Sequence, residues 1–218
     1  MNDRTILASA PRIRGLFGTP VLAEMWQDAP RWNAELKQKI LARSATERGV
    51  SKSNFHGWQS EVGMDRWSGE AGQALRTFAE QRADEHSFLD EGVDSRIAWS
   101  AEMWANVSKG GASNQTHAHP GSFWSMVYYV DDGYGGVPDK SQGGELSFLD
   151  PRFPMVRMAA PDLRFKREDG YVENQEVWLQ PRSGLVVMFP SWLMHSVRPY
   201  FGKGTRISIA INILARKA

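Results

Sequence analysis

Residues 117–119 read His-Ala-His, and two further polar residues, His195 and Arg206, lie far along the chain from them. Side chains at positions i and i+2 of an extended strand point to the same face, so we expect His117 and His119 to lie side by side. The fold must bring His195 to this pair across the 76 residues after His119. Three imidazoles and a nearby cation suit a metal site that also binds an acidic small molecule.

Arg206 stands in an alternating segment, residues 206–212, which reads Arg-Ile-Ser-Ile-Ala-Ile-Asn. Alternation places Arg206, Ser208, Ala210 and Asn212 on one face of a strand. A guanidinium forms a two-pronged hydrogen-bonded pair with a carboxylate, and burying it without a partner is costly. An inward-facing Arg206 therefore implies a bound acid, and the Ser208 hydroxyl could contact the same carboxylate. The alternative is an outward-facing arginine on a strand.

Around these residues the sequence is typical of short strands. From about residue 97, β-branched and aromatic segments alternate with turns that contain glycine or proline. The segments are 97–107, 122–130, 145–149, 175–179, 184–189, 195–198 and 205–214. Many short strands favour a sandwich or jelly roll over a parallel sheet with crossover helices. The long connection 151–175 is typical of a lid or substrate loop.

The N-terminal part has helical periodicity instead. Residues 30–47 place Trp32, Leu36 and Ile40 on one face, and residues 69–84 repeat this pattern, while the segment 49–69 between them looks like a loop. We expect two or three helices to support one β-barrel. The predicted organisation is a single domain, 1–218, with helical support in 1–96 and a barrel core in 97–214.

Composition excludes several classes of function. The chain has 218 residues, of which 41% are hydrophobic, a net charge of +1 and no cysteine. It therefore has no disulfides or thiolate ligands, and no overall field that would attract nucleic acid or an anionic membrane. No apolar stretch is long enough for a signal core or a membrane span. We expect a cytoplasmic protein with no nucleic-acid or membrane partner, and a homodimer through the N-terminal helices is one possible arrangement.

Ferrous iron in oxygen-activating enzymes is held on one face by three ligands, commonly two histidines and a carboxylate. The carboxylate usually follows the first histidine by two residues, and here that position holds His119. Three interpretations are open: His119 binds the metal directly, water fills the position, or an acid such as Asp131 or Glu145 supplies the ligand. Direct binding by His119 is the preferred interpretation.

Several motifs together resemble one superfamily. They are Trp104-Ala-Asn106, Asn114-Gln-Thr-His-Ala-His-Pro-Gly121, Val127-Tyr-Tyr-Val130, Gly144-Glu-Leu-Ser-Phe-Leu-Asp-Pro-Arg152, Pro181-Arg-Ser-Gly-Leu-Val-Val-Met-Phe-Pro-Ser-Trp-Leu-Met-His195 and Arg206-Ile-Ser208, with Leu16-Phe-Gly-Thr-Pro20 near the start. The chain resembles the 2-oxoglutarate- and Fe(II)-dependent oxygenases. More narrowly, it is similar to a family of small bacterial and phage oxygenases among them.

This resemblance implies a mainly β fold with N-terminal helices, the double-stranded β-helix, which is a jelly roll or cupin-like barrel. It implies Fe(II) and 2-oxoglutarate as cofactors, with His117 and His195 as iron ligands and Arg206 on the far carboxylate of 2-oxoglutarate. Asn106 and Tyr128 are further candidates for contact with the co-substrate. The implied reaction hydroxylates an unidentified substrate with O2 and releases succinate and CO2.

Other classes of protein share part of this pattern. A cupin-like metal-binding barrel could be an isomerase, a hydrolase, a binding module or a dioxygenase that needs no 2-oxoglutarate, and three histidines also suit zinc. A catalytically idle barrel that keeps the motif is a third class. An inward Arg206 discriminates among them, because only a protein that binds a dicarboxylate needs this cation beside the metal.

Overall fold

The computed structural model describes residues 17–93, 96–137, 139–154, 160, 162–165, 172 and 174–217. In these residues, two antiparallel sheets pack face to face, and two helices cover the outer face of the larger sheet. The mainly β architecture with N-terminal helices that the sequence predicts is confirmed.

Both predicted helices are present, as α1 (Ala29–Thr46) and α2 (Gly69–Glu85). Pro30 lies in the first turn of α1, where its missing N–H costs nothing. Buried residues recur every fourth position along each helix and form the face that packs on the sheet: Trp32, Leu36 and Ile40 in α1, and Ala71, Leu75, Ala79 and Ala83 in α2. Neither helix, nor any other in the described residues, has the length and apolar character needed to cross a bilayer.

Within the residues that the structure describes, eleven strands make up the two sheets. They are β1 (Leu22–Met25), β2 (Asn54–Phe55), β3 (Trp58–Gln59), β4 (Ile97–Ser108), β5 (Ala112–His117), β6 (Trp124–Asp131), β7 (Leu146–Leu149), β8 (Glu176–Leu179), β9 (Leu185–Pro190), β10 (His195–Tyr200) and β11 (Arg206–Lys217). Short 3-10 turns span Met64–Arg66 and Lys140–Gln142. The larger sheet has the order β1-β9-β6-β11-β4-β3, and the smaller has the order β2-β5-β10-β7-β8.

The register of the larger sheet decides which residues face the interior. β11 pairs with β4 and β6 over most of its length, so that Ser208 lies opposite Asn106 on one side and Tyr129 on the other. Ile207, Ile209, Ile211 and Ile213 join the core under the helices. The alternate residues of β11, beginning with Arg206, therefore face the smaller sheet.

Two apolar clusters hold the layers together. The cluster between the helices and the larger sheet contains Trp26, Leu36, Leu75 and Met126 among others, whereas Tyr129, Leu146, Phe148, Val187, Phe189 and Leu193 fill the space between the sheets. The second cluster occupies only one part of the interior. The remaining part is a cavity lined by both polar and apolar side chains, described below.

The sequence missed four strands. β1 joins the edge of the larger sheet beside β9, and β5 joins the smaller sheet beside β10. The segment 49–69, expected to be a loop, contributes the two-residue strands β2 and β3 and a 3-10 turn. These pieces are too short or too polar to show alternation, and neighbouring strands supply their hydrogen bonds. Much of the expected lid, including 155–159 and 166–171, lies outside the described residues, as does Leu16.

Candidate active site

A cavity of about 500 Å³ lies between the two sheets. His117, His119 and His195 line it from the side of the smaller sheet, and Arg206 and Ser208 line it from β11. This volume lies in the range of small-molecule sites.

Strand pairing brings two of the three histidines together. His117 ends β5, His195 begins β10, and the two residues are directly opposite each other in the antiparallel pair. Their ring centroids are 4.4 Å apart. The pairing of β5 with β10 therefore brings His117 and His195 together, although they are far apart in the sequence.

His119 reaches the same place by a different route from the one that the sequence predicts. β5 ends at His117, so the expectation of one strand carrying both histidines is wrong. Pro120 lacks an N–H and Gly121 has φ +94°, which ends the extended conformation. The His119 N–H donates to the Ser191 carbonyl at 2.9 Å, and this bond holds the turn. The two Nε2 atoms of His119 and His195 are 3.2 Å apart.

Backbone carbonyls orient two of the rings. The Nδ1 atom of His195 lies 2.8 Å from the Leu193 carbonyl oxygen, and that of His117 lies 2.6 Å from the Gln115 carbonyl oxygen. A carbonyl can only accept, so Nδ1 carries the proton in both rings, and Nε2 keeps its lone pair. This arrangement fixes the tautomer that binds metals through Nε2.

Burial keeps the three imidazoles neutral. It lowers the pKa of His119 to about 4 and that of His195 to about 3, and it also lowers the pKa of His117. Their candidate ligand atoms all lie within 4.8 Å of one another. Three neutral nitrogens that converge in this way fit a divalent transition metal.

The acids that the sequence offered as alternative ligands make other contacts. Asp131 pairs with Lys37 at 2.6 Å and accepts a bond from the Gly133 N–H. Glu145 is buried beside Arg198 at 3.5 Å. In the part of the chain that the structure describes, neither carboxylate joins the cluster of histidines.

Arg206 faces the cavity and is the largest of the fully buried side chains, with 1% of its surface exposed. Among the residues that the structure describes, its buried Nε and Nη2 atoms have no hydrogen-bond partner, and Nη1 has only a long contact of 3.5 Å to the Ser208 hydroxyl. No carboxylate among the described residues pairs with it. A buried cation with unused donors fits an anionic ligand that is two-pronged and planar.

Tyr128 does not face this cavity, and its expected inward orientation is wrong. The alternation of β6 directs Trp124, Met126 and Tyr128 towards the helices, where the Tyr128 hydroxyl donates to Asn33 of α1. Tyr129 is the tyrosine on the inner face. Its ring centroid lies 5.1 Å from the Arg206 guanidinium carbon, and its buried hydroxyl has no hydrogen-bond partner in the part of the chain that the structure describes.

Burial raises the pKa of Tyr129, while the charge of Arg206 opposes this shift, so the phenol remains protonated and can donate a hydrogen bond. Nothing in the sequence distinguishes this residue, because only the pairing of β6 with β11 decides which of two adjacent tyrosines faces inward.

Asn106 and Ser208 both line the cavity, as predicted, and lie opposite each other on β4 and β11. The structure thus gathers His117, His119, His195, Arg206, Ser208 and Asn106 around one cavity.

A family model supports the nature of this site. The family described as "Putative 2OG-Fe(II) oxygenase" matches residues 102–212. Comparison with curated protein sequences gives no match.

Solved structures support the same fold. A prolyl-4-hydroxylase from Pseudomonas putida has a TM-score of 0.60 at 16% identity, covering 91% of this chain and 94% of that one. A prolyl hydroxylase from Trichoplax adhaerens, in complex with a peptide fragment of the hypoxia inducible factor, has a TM-score of 0.62 at 16% identity and coverages of 89% and 83%. HygX from Streptomyces hygroscopicus, with nickel, 2-oxoglutarate and hygromycin B bound, has a TM-score of 0.57 at 12% identity and coverages of 89% and 82%. These likenesses confirm the double-stranded β-helix.

Proposed function

This chain belongs to the 2OG-Fe(II) oxygenase family, and from that premise we propose that His117, His119 and His195 bind the iron and that Arg206 anchors 2-oxoglutarate. The observation that carries the proposal is the buried guanidinium of Arg206, whose Nε and Nη2 donors are unused. It lies in the same cavity as three converging imidazoles.

His119 distinguishes this iron site from one with two histidines and a carboxylate. All three proposed ligands are neutral, so the metal ion would keep its full double charge. The cavity lining, as far as the structure describes it, includes no acidic side chain. The buried positive charge is then balanced only when an anion binds, which favours the dianion 2-oxoglutarate strongly.

Four residues would hold the co-substrate. Arg206 would form the two-pronged pair with the far carboxylate, and Ser208 and Tyr129 would donate hydroxyl hydrogen bonds to the same group. Asn106, which lies opposite Ser208 and lines the cavity, would contact the chain of the co-substrate. Tyr128 has no part in this set.

When bound, iron and 2-oxoglutarate supply the oxidising power: O2 converts 2-oxoglutarate to succinate and CO2, and the second oxygen atom enters a C–H bond of the substrate. The residues of the chain bind and orient these components. Arg206 would fix the direction in which the dicarboxylate enters, and the three histidines would hold the metal at the wall of the cavity. The apolar wall of Leu146 and Phe189 limits access of water.

The non-redox barrel is not favoured, because an isomerase, hydrolase or binding module of that kind has no use for Arg206. A dioxygenase that needs no 2-oxoglutarate would likewise leave this buried cation unpaired.

Calorimetric titration tests the assignment of Arg206. The protein is loaded with Ni(II), which does not turn over, and titrated with 2-oxoglutarate. We expect Arg206→Ala to weaken binding of 2-oxoglutarate by at least about 100-fold, because a charged, two-pronged pair is lost. Binding of Ni(II) should persist. Arg198→Ala is the control, since Arg198 packs on Trp178 and pairs with Glu145 and does not line the cavity. Equal affinities in the two variants would contradict the proposed role.

A further inference from the structure

The cavity contains a second set of unpaired polar atoms that the co-substrate does not explain. The Ser125 hydroxyl and the side-chain amide oxygen of Asn212, Oδ1, are both buried and, within the described residues, have no hydrogen-bond partner. Both residues line the cavity, and Ser125 is only 2% exposed. Leaving buried polar groups unpaired costs stability, so such a pair indicates a ligand.

These two residues lie side by side. Asn212 on β11 is directly opposite Ser125 on β6, and alternation puts both side chains on the inner face. The two unpaired atoms therefore form one polar patch, which we call the Ser125–Asn212 subsite.

The subsite lies on the far side of the histidines from Arg206. The His119 ring packs 5.7 Å from that of Trp104, and Trp104 is opposite Ala210. At about 3.4 Å per residue, Arg206 lies roughly 14 Å from Ala210 along β11, whereas Asn212 lies roughly 7 Å beyond it. A co-substrate that reaches from the metal to Arg206 extends away from the subsite.

We propose that the Ser125–Asn212 subsite binds the substrate through an uncharged group that carries both a hydrogen-bond donor and an acceptor, of which a carboxamide is the simplest example. This inference rests on the proposed function, because it takes the Arg206 end to be occupied by 2-oxoglutarate. The asparagine side chain and the hydroxyl together complement such a group at two points. The ring of Trp104, which also lines the cavity, gives a flat neighbouring part of the substrate a surface to stack on.

The charges of the lining favour a neutral group. The described cavity wall has no carboxylate that could pair with a cationic substrate. Its cationic side chains are Lys52 and Arg206, and Arg206 begins β11, six residues before Asn212. A charged group at this subsite would have no counter-charge.

Stability of the ligand-free protein gives the first test. Ser125→Ala removes an unpaired buried hydroxyl, and we expect its Tm to rise by about 2–4 °C. Ser60→Ala is the matched control, because the equally buried Ser60 hydroxyl donates to Glu61 and accepts from the Ala105 N–H, at 2.8 and 3.0 Å. That variant should lower the Tm. A fall in Tm for Ser125→Ala would show that its hydroxyl has a partner within the protein, and would overturn the proposal.

Binding of a matched pair of probes gives the second test. Benzamide and methyl benzoate have similar flat shapes, but only benzamide has N–H donors. Ligand-observed NMR on protein loaded with Ni(II) and 2-oxoglutarate should show benzamide binding about tenfold more tightly. The double variant Ser125→Ala, Asn212→Leu should remove this preference and leave the affinity for 2-oxoglutarate unchanged.

The proposed subsite is overturned if the two probes bind equally or if neither binds. It is also overturned if the preference for benzamide survives in the double variant. Failure of 2-oxoglutarate to bind the wild-type protein would contradict the proposed function instead. The preference for benzamide is then measured on the metal-free protein, so the two failures are distinguishable.

Discussion

Two adjacent tyrosines on β6 belong to different layers of the molecule. Tyr128 packs edge-on to Trp26, with ring centroids 5.2 Å apart, and donates to Asn33, whereas Tyr129 lies against Arg206 in the interior. Each is fully buried, so exposure does not distinguish them. Their hydrogen-bonding state does, because only the hydroxyl of Tyr129 lacks a partner.

We predict opposite effects when each hydroxyl is removed. Tyr129→Phe should weaken binding of 2-oxoglutarate by about tenfold and leave the Tm unchanged or raised, because the hydroxyl has no partner in the free protein. Tyr128→Phe should destabilise the fold by about 1 kcal/mol and leave the affinity intact. Thermal unfolding and calorimetry measure both quantities. The prediction fails if Tyr128→Phe weakens the binding of 2-oxoglutarate as much as Tyr129→Phe does.

His119 offers a second test at the scale of single residues. His119→Asp supplies a negative ligand, and we expect it to tighten binding of Fe(II) in the absence of 2-oxoglutarate by tenfold or more, since opposite charges at this distance attract by several kcal/mol even when partly screened. His119→Ala should weaken the binding of Fe(II), because one ligand is lost. Anaerobic titration with Fe(II) measures both affinities, and wild-type affinity in His119→Ala would remove this residue from the ligand set.

The sequence predicted which residues line the cavity better than it predicted their geometry. His117, His119, His195 and Arg206 could be identified because few other chemistries require all four. That His119 lies beyond the strand could not be predicted, because the bond from its N–H to Ser191 depends on tertiary contact. The choice between Tyr128 and Tyr129 depends on strand register, which alternation alone leaves ambiguous by one residue.

At the scale of the elements, a glycine in the connection between β6 and β7 leaves room for the side chain of Arg206. Gly144 has φ +85°, and a Cβ placed there would lie 3.1 Å from Cδ2 of Tyr200 and 3.4 Å from Cδ of Arg206. Glycine is therefore required both by the left-handed backbone and by the close approach of two side chains.

Gly144→Ala should accordingly affect both the fold and the site. We expect a loss of about 2 kcal/mol in the free energy of unfolding and a weaker affinity for 2-oxoglutarate, because Arg206 must shift. The matched variant Gly135→Ala has φ +70° and no heavy atom within 4 Å of the added Cβ. It should cost only about 1 kcal/mol, with no change in affinity. Indistinguishable denaturation curves and affinities for the two variants would contradict the prediction.

The strands of the barrel were predictable where they are long and apolar. β4, β6, β9 and β11 match the predicted segments to within two or three residues at each end. β5 reads Ala-Ser-Asn-Gln-Thr-His and has no apolar alternation, so its pairing with β10 and β2 defines it instead. Polar strands that line a cavity lack the pattern on which prediction depends.

At the scale of the whole molecule, the histidine cluster links stability to pH. The pKa of each histidine is lowered on folding, so below the unfolded value of about 6.5 the unfolded chain binds protons that the folded chain does not. Stability should therefore be complete above pH 6.5 and fall as the pH drops towards 4.

Thermal unfolding of the metal-free protein between pH 8 and pH 4.5 measures this dependence. The decline in Tm should be shallower in His195→Leu, which removes the histidine with the pKa lowered to about 3. Parallel curves for the wild-type protein and this variant would show that other groups cause the decline.

The layered arrangement was predictable in outline because the helices and the strands each show their own spacing of apolar residues in the sequence. Helices with apolar residues every fourth position can cover only one face of a sheet, and the strands that follow supply the rest of the core. The strand order was not predictable, since β1 pairs with β9 and β5 pairs with β10 although each pair is far apart in the sequence. The family resemblance, rather than periodicity, supplied the double-stranded β-helix.

The central claim is that three neutral histidines and Arg206 together hold an iron–2-oxoglutarate chelate. Anaerobic titration of the Fe(II)-loaded protein with 2-oxoglutarate tests it most directly, because the bidentate chelate has a weak visible charge-transfer band. We predict that the band appears with one equivalent of 2-oxoglutarate and requires far higher concentrations in Arg206→Ala. Absence of the band from wild-type protein that retains tightly bound iron would contradict the claim.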